Sequence, residues 1–182
     1  MGNARLMNKN KKGSVIDLII FIVVAFLAVF FFGVWIYVNG SLNTAFGTVQ
    51  DTAQLNFSSA VNQTFTPVYN AVLNYSDLLV ISIIMSMIIL IFISNFLIKT
   101  HPAFMIVYII FWILSMILST HISNAYETIT ANPTLSTSFG YLPGGNFIML
   151  NLPIIIAVVG VIGGIILFAG IIRDDGSGGG VS

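Results

Sequence analysis

Four apolar runs, each about long enough to cross a lipid bilayer, constrain this chain more than any other feature. They occupy residues 15–38, 78–98, 103–122 and 154–172. A helix rises about 1.5 Å per residue, so roughly 20 residues traverse about 30 Å of hydrocarbon. Lipid offers no partner for backbone N–H and C=O groups, and a run of this length satisfies them by coiling into a helix. The first run is longer than the thickness requires, which predicts tilt. Composition leads the same way: 57% of the residues are hydrophobic and 7% are charged, where a soluble domain carries about 25% charged residues. The expected fold is all-α, an integral membrane protein with four transmembrane helices.

The basic residues give that fold a direction. Arg5, Lys9, Lys11 and Lys12 precede the first run, Lys99 lies between the second and third, and Arg173 follows the fourth. The connections 39–77 and 123–153 contain no Lys or Arg. Short basic loops stay on the side of synthesis, which predicts that both termini are inside. The order is then a basic inner terminus (1–14), a first span, an outer segment (39–77), a second span, an inner turn (99–102), a third span, an outer loop (123–153), a fourth span and a Gly-rich inner tail (173–182). Trp35, Tyr37, Tyr75 and Tyr126 fall near the outer ends of the spans, where amphipathic rings favour the headgroup level. A net charge of zero speaks against nucleic-acid binding. The absence of cysteine excludes thiol catalysis and Cys-ligated metal sites.

The basic start and long apolar run do not make a cleaved signal peptide, because the run exceeds an h-region and no small-x-small site follows. Lys11-Lys12-Gly13 is similar to the processing site of type IV pilin-like precursors. That family carries a glutamate five residues after the cut, where Leu18 stands here, so cleavage is not expected.

The first outer segment is patterned. Leu42, Phe46, Val49, Ala53, Phe57, Val61, Phe65, Val68 and Val72 recur at three- and four-residue spacing among Asn, Gln, Ser, Thr and Asp51. That is an amphipathic helical stripe, interrupted by Pro67. It predicts an extramembrane helical hairpin, with the first helix continuing outward and a second beginning near Pro67. Phe46, Val49, Phe57, Val61 and Phe65 are candidates for a partner or membrane surface. Asn56, Asn62 and Asn74 head formal glycosylation sequons, which arise by chance in so Asn- and Ser-rich a stretch. The second outer connection holds Asn132-Pro133 and Pro143-Gly144-Gly145-Asn146 and reads as turns. In the inner turn Thr100 can cap the helix that Pro102 begins, and Pro153 suits the start of the fourth span.

Little in the chain invites chemistry. Asp17 and Asp77 stand at the starts of spans and are expected to cap them. His121 and Glu127 lie six apart near the outer end of the third span, two ligands at most, and His101 is a turn residue. Asn95 is the one strongly polar residue well inside the second run. Phosphate-loop, dinucleotide and HExxH patterns are missing. No catalytic, cofactor or metal site is expected, and the chain does not read as an enzyme. Small residues are better placed: Ser82 and Ser86, Ser115 and Ser119, and Gly160, Gly163 and Gly164 follow the spacing that lets membrane helices approach closely. They are the helix-packing candidates, within one subunit or between subunits.

Lys12-Gly13-Ser14 with Asp17, Leu42-Asn43-Thr44, Thr100-His101-Pro102 and Ser123-Asn124-Ala125-Tyr126-Glu127 together resemble small polytopic proteins of tail-less viruses with an internal membrane. The resemblance implies a virion membrane protein beneath a capsid, with no catalytic residues to carry over. The expectation is a non-enzymatic structural or assembly protein of a cell membrane or virion membrane. Its partners would be the bilayer, further copies of itself, or other membrane and capsid proteins. The rivals are an oligomeric pore of holin type and a small transporter or accessory subunit of a membrane complex.

Overall fold

The computed structural model describes residues 13–49, 56–97 and 103–175. All secondary structure among them is helical. Helix α1 (Gly13–Gly47) runs for 35 residues, about 52 Å at the standard rise. A short α2 (Phe57–Ala60) passes through a π-helical segment (Val61–Phe65) into α3 (Thr66–Leu97), so the chain is helical without a break from Phe57 to Leu97. Then come α4 (Ala103–Thr130), α5 (Pro133–Gly140), α6 (Pro143–Leu150) and α7 (Leu152–Asp175). Among the described residues, four helices are long and apolar enough to cross a membrane: Ile16–Gly47, Phe57–Phe96, Phe104–Thr130 and Leu152–Ala169. The protein is thus a helical membrane protein. Arg5, Lys9, Lys11, Lys12, Asp51, Ala53, Lys99, Thr100, His101, Pro102 and the last residues of the tail lie outside the described residues, so the expectations placed on them stay expectations.

Two sequence expectations about the connections need correction. The second helix of the outer segment starts at Phe57, not near Pro67. Asn56 caps it, its side chain accepting from Ser59 N–H at 3.0 Å. Pro67 lacks an N–H and its ring would clash with the carbonyl four residues back. The wide turn just before it, in which Thr66 N–H reaches Val61 O, absorbs that fault and lets the helix continue. The stretch 131–151, expected as turns, is two helices. Asn132 caps α5 by accepting from Thr134 N–H at 2.9 Å, with Pro133 in its first turn, and Pro143 opens α6. The residues read as breakers are helix starts.

The chain divides into two compact units. Of the described residues, one comprises 13–24, 84–97, 103–123 and 151–175, the other 25–49, 56–83 and 124–150. The first is cored by Leu18, Phe21 and Ile22 of α1, Ile84 and Ile91 of α3, Tyr108, Ser115 and Ser119 of α4, and Leu152, Ile156, Val159 and Leu167 of α7. The second buries Val29 and Ile36 of α1, Ser76 and Val80 of α3, Tyr126 of α4, Phe139 of α5 and Met149 of α6. On each long helix the buried positions recur three, four or seven apart, the seam of one helix face.

Candidate functional site

The polar groups of the second unit converge on the start of α6. Asp77 is well inside α3, where its own helix has no free N–H to offer, so the expected cap of the second span is not formed. Its carboxylate instead accepts from Gly144 N–H at 3.1 Å and Gly145 N–H at 2.9 Å, capping another helix through tertiary contact. A helix N-terminus presents unsatisfied N–H groups and partial positive charge, so an anion there is favourable. Glycine is needed for this approach: a Cβ on Gly144 would run into Ile81, and one on Gly145 would stand 3.3 Å from Val29 and Val80.

Beside it, Asn146 donates to Phe139 O at 2.7 Å, and Tyr126 donates its hydroxyl to Asn146 Oδ1. Tyr126 is fully buried. Its ring meets Phe139 edge-on with centroids 5.7 Å apart, and the buried hydroxyl has found an acceptor, as such groups must. Phe139 in turn fills the notch left by Gly33, where a Cβ would overlap its ring.

The first unit uses aromatic side chains against glycine. Tyr108 and Trp112 of α4 lie over Gly160, Gly163 and Gly164 of α7. A Cβ on Gly160 would collide with the Trp112 indole, and one on Gly163 would stand 2.5 Å from Asn95 Nδ2 and 2.6 Å from the Tyr108 hydroxyl. Bare backbone leaves carbonyls within reach: Tyr108 donates to Gly160 O at 2.9 Å and Trp112 Nε1 to Ile156 O at 3.3 Å. Asn95 is buried in this group. Asp17 is the fifth residue of α1, past the position of a cap, and its carboxylate accepts from the Ser94 hydroxyl of α3 at 3.0 Å.

The packing candidates divide. Ser115 and Ser119 are buried, their hydroxyls returned to Phe111 O and Met116 O of their own helix. Ser82 and Ser86 are exposed on α3, with the Ser82 hydroxyl donated to Leu78 O. Of the surface candidates, Phe46 meets Phe57 and Phe65 at centroid distances of 6.1 and 4.7 Å, and Val61 is buried. Val49 and Phe65 are exposed, as are Leu42 and Val68 on the same stripe. The Thr66 hydroxyl donates to Asn43 Oδ1 at 3.2 Å, a polar tie between α3 and α1.

Sequence reasoning missed Tyr108, Trp112 and Asn146. One signal was available: Tyr108 and Trp112 are four apart on one span, as Gly160 and Gly164 are on another, a matched pair of large and small rows. His121 and Glu127 are both exposed, and no three His, Asp or Glu converge among the described residues. No family profile, no curated protein and no solved structure matches this chain.

Proposed function

We propose that this is a non-enzymatic, multi-pass membrane protein that acts by assembly, its spans anchoring it and its outer segment (39–77) meeting a partner. One observation carries the reading. Several polar side chains set among the apolar ones are engaged in ties between helices: Asp77 to Gly144 and Gly145, Tyr126 to Asn146, Tyr108 and Trp112 to α7, Asp17 to Ser94. Groups so engaged hold a scaffold together, and the Leu42, Val49, Phe65 and Val68 side chains stay exposed beyond them. An apolar stripe of this kind rimmed by Asn, Gln and Thr is the sort of surface that docks a partner. The resemblance noted above makes a capsid shell the partner of choice, with both termini on the opposite side of the membrane.

Reconstitution distinguishes this from the rivals. Vesicles containing the purified protein are expected to hold an ion gradient. Replacing Val49, Phe65 and Val68 together by Asn is expected to abolish cross-linking to neighbouring particle proteins while membrane insertion persists. Steady ion leakage from the vesicles would overturn the assembly reading in favour of a pore.

A further inference from the structure

The second unit also contains an open cleft of about 590 Å³ whose chemistry is unusual for a protein this apolar. Twelve of the described residues line it; nine of them bear a hydroxyl and none is charged. Three are tyrosines, Tyr37, Tyr69 and Tyr141. The rest of the hydroxyl lining comes from Ser41 and Thr44 of α1, from Thr48 just beyond its end, and from Thr134, Thr137 and Ser138 of α5.

These hydroxyls are also unengaged. Elsewhere several Ser and Thr side chains return to a backbone carbonyl three or four residues back, as Ser76, Ser115, Thr120 and Thr128 do. In the cleft only Thr48 does so, donating to Ala45 O at 2.8 Å. Among the described residues, Ser41, Thr44, Thr137, Tyr69 and Tyr141 make no side-chain hydrogen bond. Gly40 keeps the floor open, since a Cβ there would stand 3.2 Å from the Tyr69 hydroxyl.

We infer that this cleft binds a neutral glycosyl group. A phosphate or carboxylate would call for Arg, Lys or a bundle of N–H groups, and an amine for a carboxylate; the lining has neither charge. An alkyl chain would leave the hydroxyls without partners at a cost of about 1–3 kcal/mol each where water is excluded. A sugar presents hydroxyls that both donate and accept, and apolar C–H faces that lie against tyrosine rings. The volume is within the roughly 300–1,000 Å³ of ordinary ligand sites. The sugar can belong to a glycolipid headgroup or to a soluble glycan. This inference does not depend on the assembly reading.

The full-length protein in phosphatidylcholine nanodiscs doped with diglucosyl diacylglycerol and phosphatidylglycerol provides the test, with saturation-transfer NMR against free maltose as a second arm. Retained glycolipid is expected to be enriched about tenfold over the bulk lipid mixture. Thr137→Trp, which fills the cleft from an exposed position, should abolish the enrichment, and Tyr69→Phe with Tyr141→Phe should weaken it. Glycolipid enrichment without a maltose signal assigns the site to a lipid headgroup, and both together assign it to glycans generally. Lack of both signals, equal enrichment of phosphatidylglycerol, or enrichment that survives Thr137→Trp would each overturn the proposal.

Discussion

Asp77 shows how a single side chain sets the geometry around it. Its carboxylate takes two N–H groups of α6 from a position inside α3, so removing it leaves those donors without their acceptor and releases one helix from the other. Asp77→Ala is expected to destabilise the protein by about 1–2 kcal/mol, the ordinary worth of a helix cap. Asp77→Asn, which keeps one acceptor oxygen, should lose less. Thermal melting in detergent micelles reads both, with Glu127→Ala at an exposed position as the unaffected control. Gly33 makes the complementary case. Alanine is favoured over glycine in a helix by about 1 kcal/mol, but at Gly33 the added methyl would occupy space held by the buried ring of Phe139. Overpacking of that kind costs about 1–3 kcal/mol, so the steric term wins and Gly33→Ala should lower the melting temperature. At Gly47 nothing beyond the adjoining chain and its own helix backbone lies within 4 Å of the added carbon, and Gly47→Ala should be neutral or mildly stabilising. Restoration of the Gly33→Ala protein by Phe139→Leu would locate the clash; failure to restore would refute it.

Among the elements, the π-helical segment before Pro67 is the clearest case of local sequence remaking a helix. A π turn is an α-helix holding one extra residue. Deleting Gln63 should therefore convert the segment towards regular helix and leave the flanking residues nearly in register. Deleting Ser82 from regular α3 would rotate everything beyond it by about 100°. The expected outcome is a folded, monodisperse Gln63-deleted protein melting within a few degrees of the parent, and a Ser82-deleted protein that aggregates on extraction. Equal damage from both would show that the wide turn is not an insertion. The same element marks where sequence stopped being legible. The spans were legible because length and apolarity alone decide a crossing. Their inward faces were not, because on α1 the exposed Leu27 and Phe31 are as apolar as the buried Phe21 and Val29. A lipid-facing side removes the polar contrast on which face assignment in water depends. Pro67, Pro133 and Pro143 misled for a related reason: a proline signals a fault or a start equally, and only the tertiary partner decides. Asp77 was legible as a cap, but its partner lies 67 residues away. Nothing local could name it.

At the scale of the whole molecule, the outward surface is what makes the bilayer necessary. Phe31, Leu90, Phe96, Ile106 and Ile165 are each more than half exposed on the single chain, on helices that carry few charges to offset them. Water would be a poor solvent for such a surface, and hydrocarbon is indifferent to it. Orientation, by contrast, is expected to rest on very few groups. Six basic residues serve the whole chain, four of them before the first span. Each Lys or Arg near a span end biases the direction of insertion, so a small set should decide it. A cysteine at exposed Thr137, in a chain with no native cysteine, should react with an impermeant thiol reagent added outside. Tags at both ends should react only after permeabilisation. Replacing Lys9, Lys11 and Lys12 by Gln while introducing Thr134→Lys and Ser136→Lys should then divide the population between the two orientations, because the charge difference has been nearly erased. If the altered protein still labels wholly from outside at position 137, the basic residues do not set the direction, and the termini must be placed by some other means. If the unaltered protein labels there only after permeabilisation, the assignment is reversed, and the face proposed to meet a partner is the one carrying the termini.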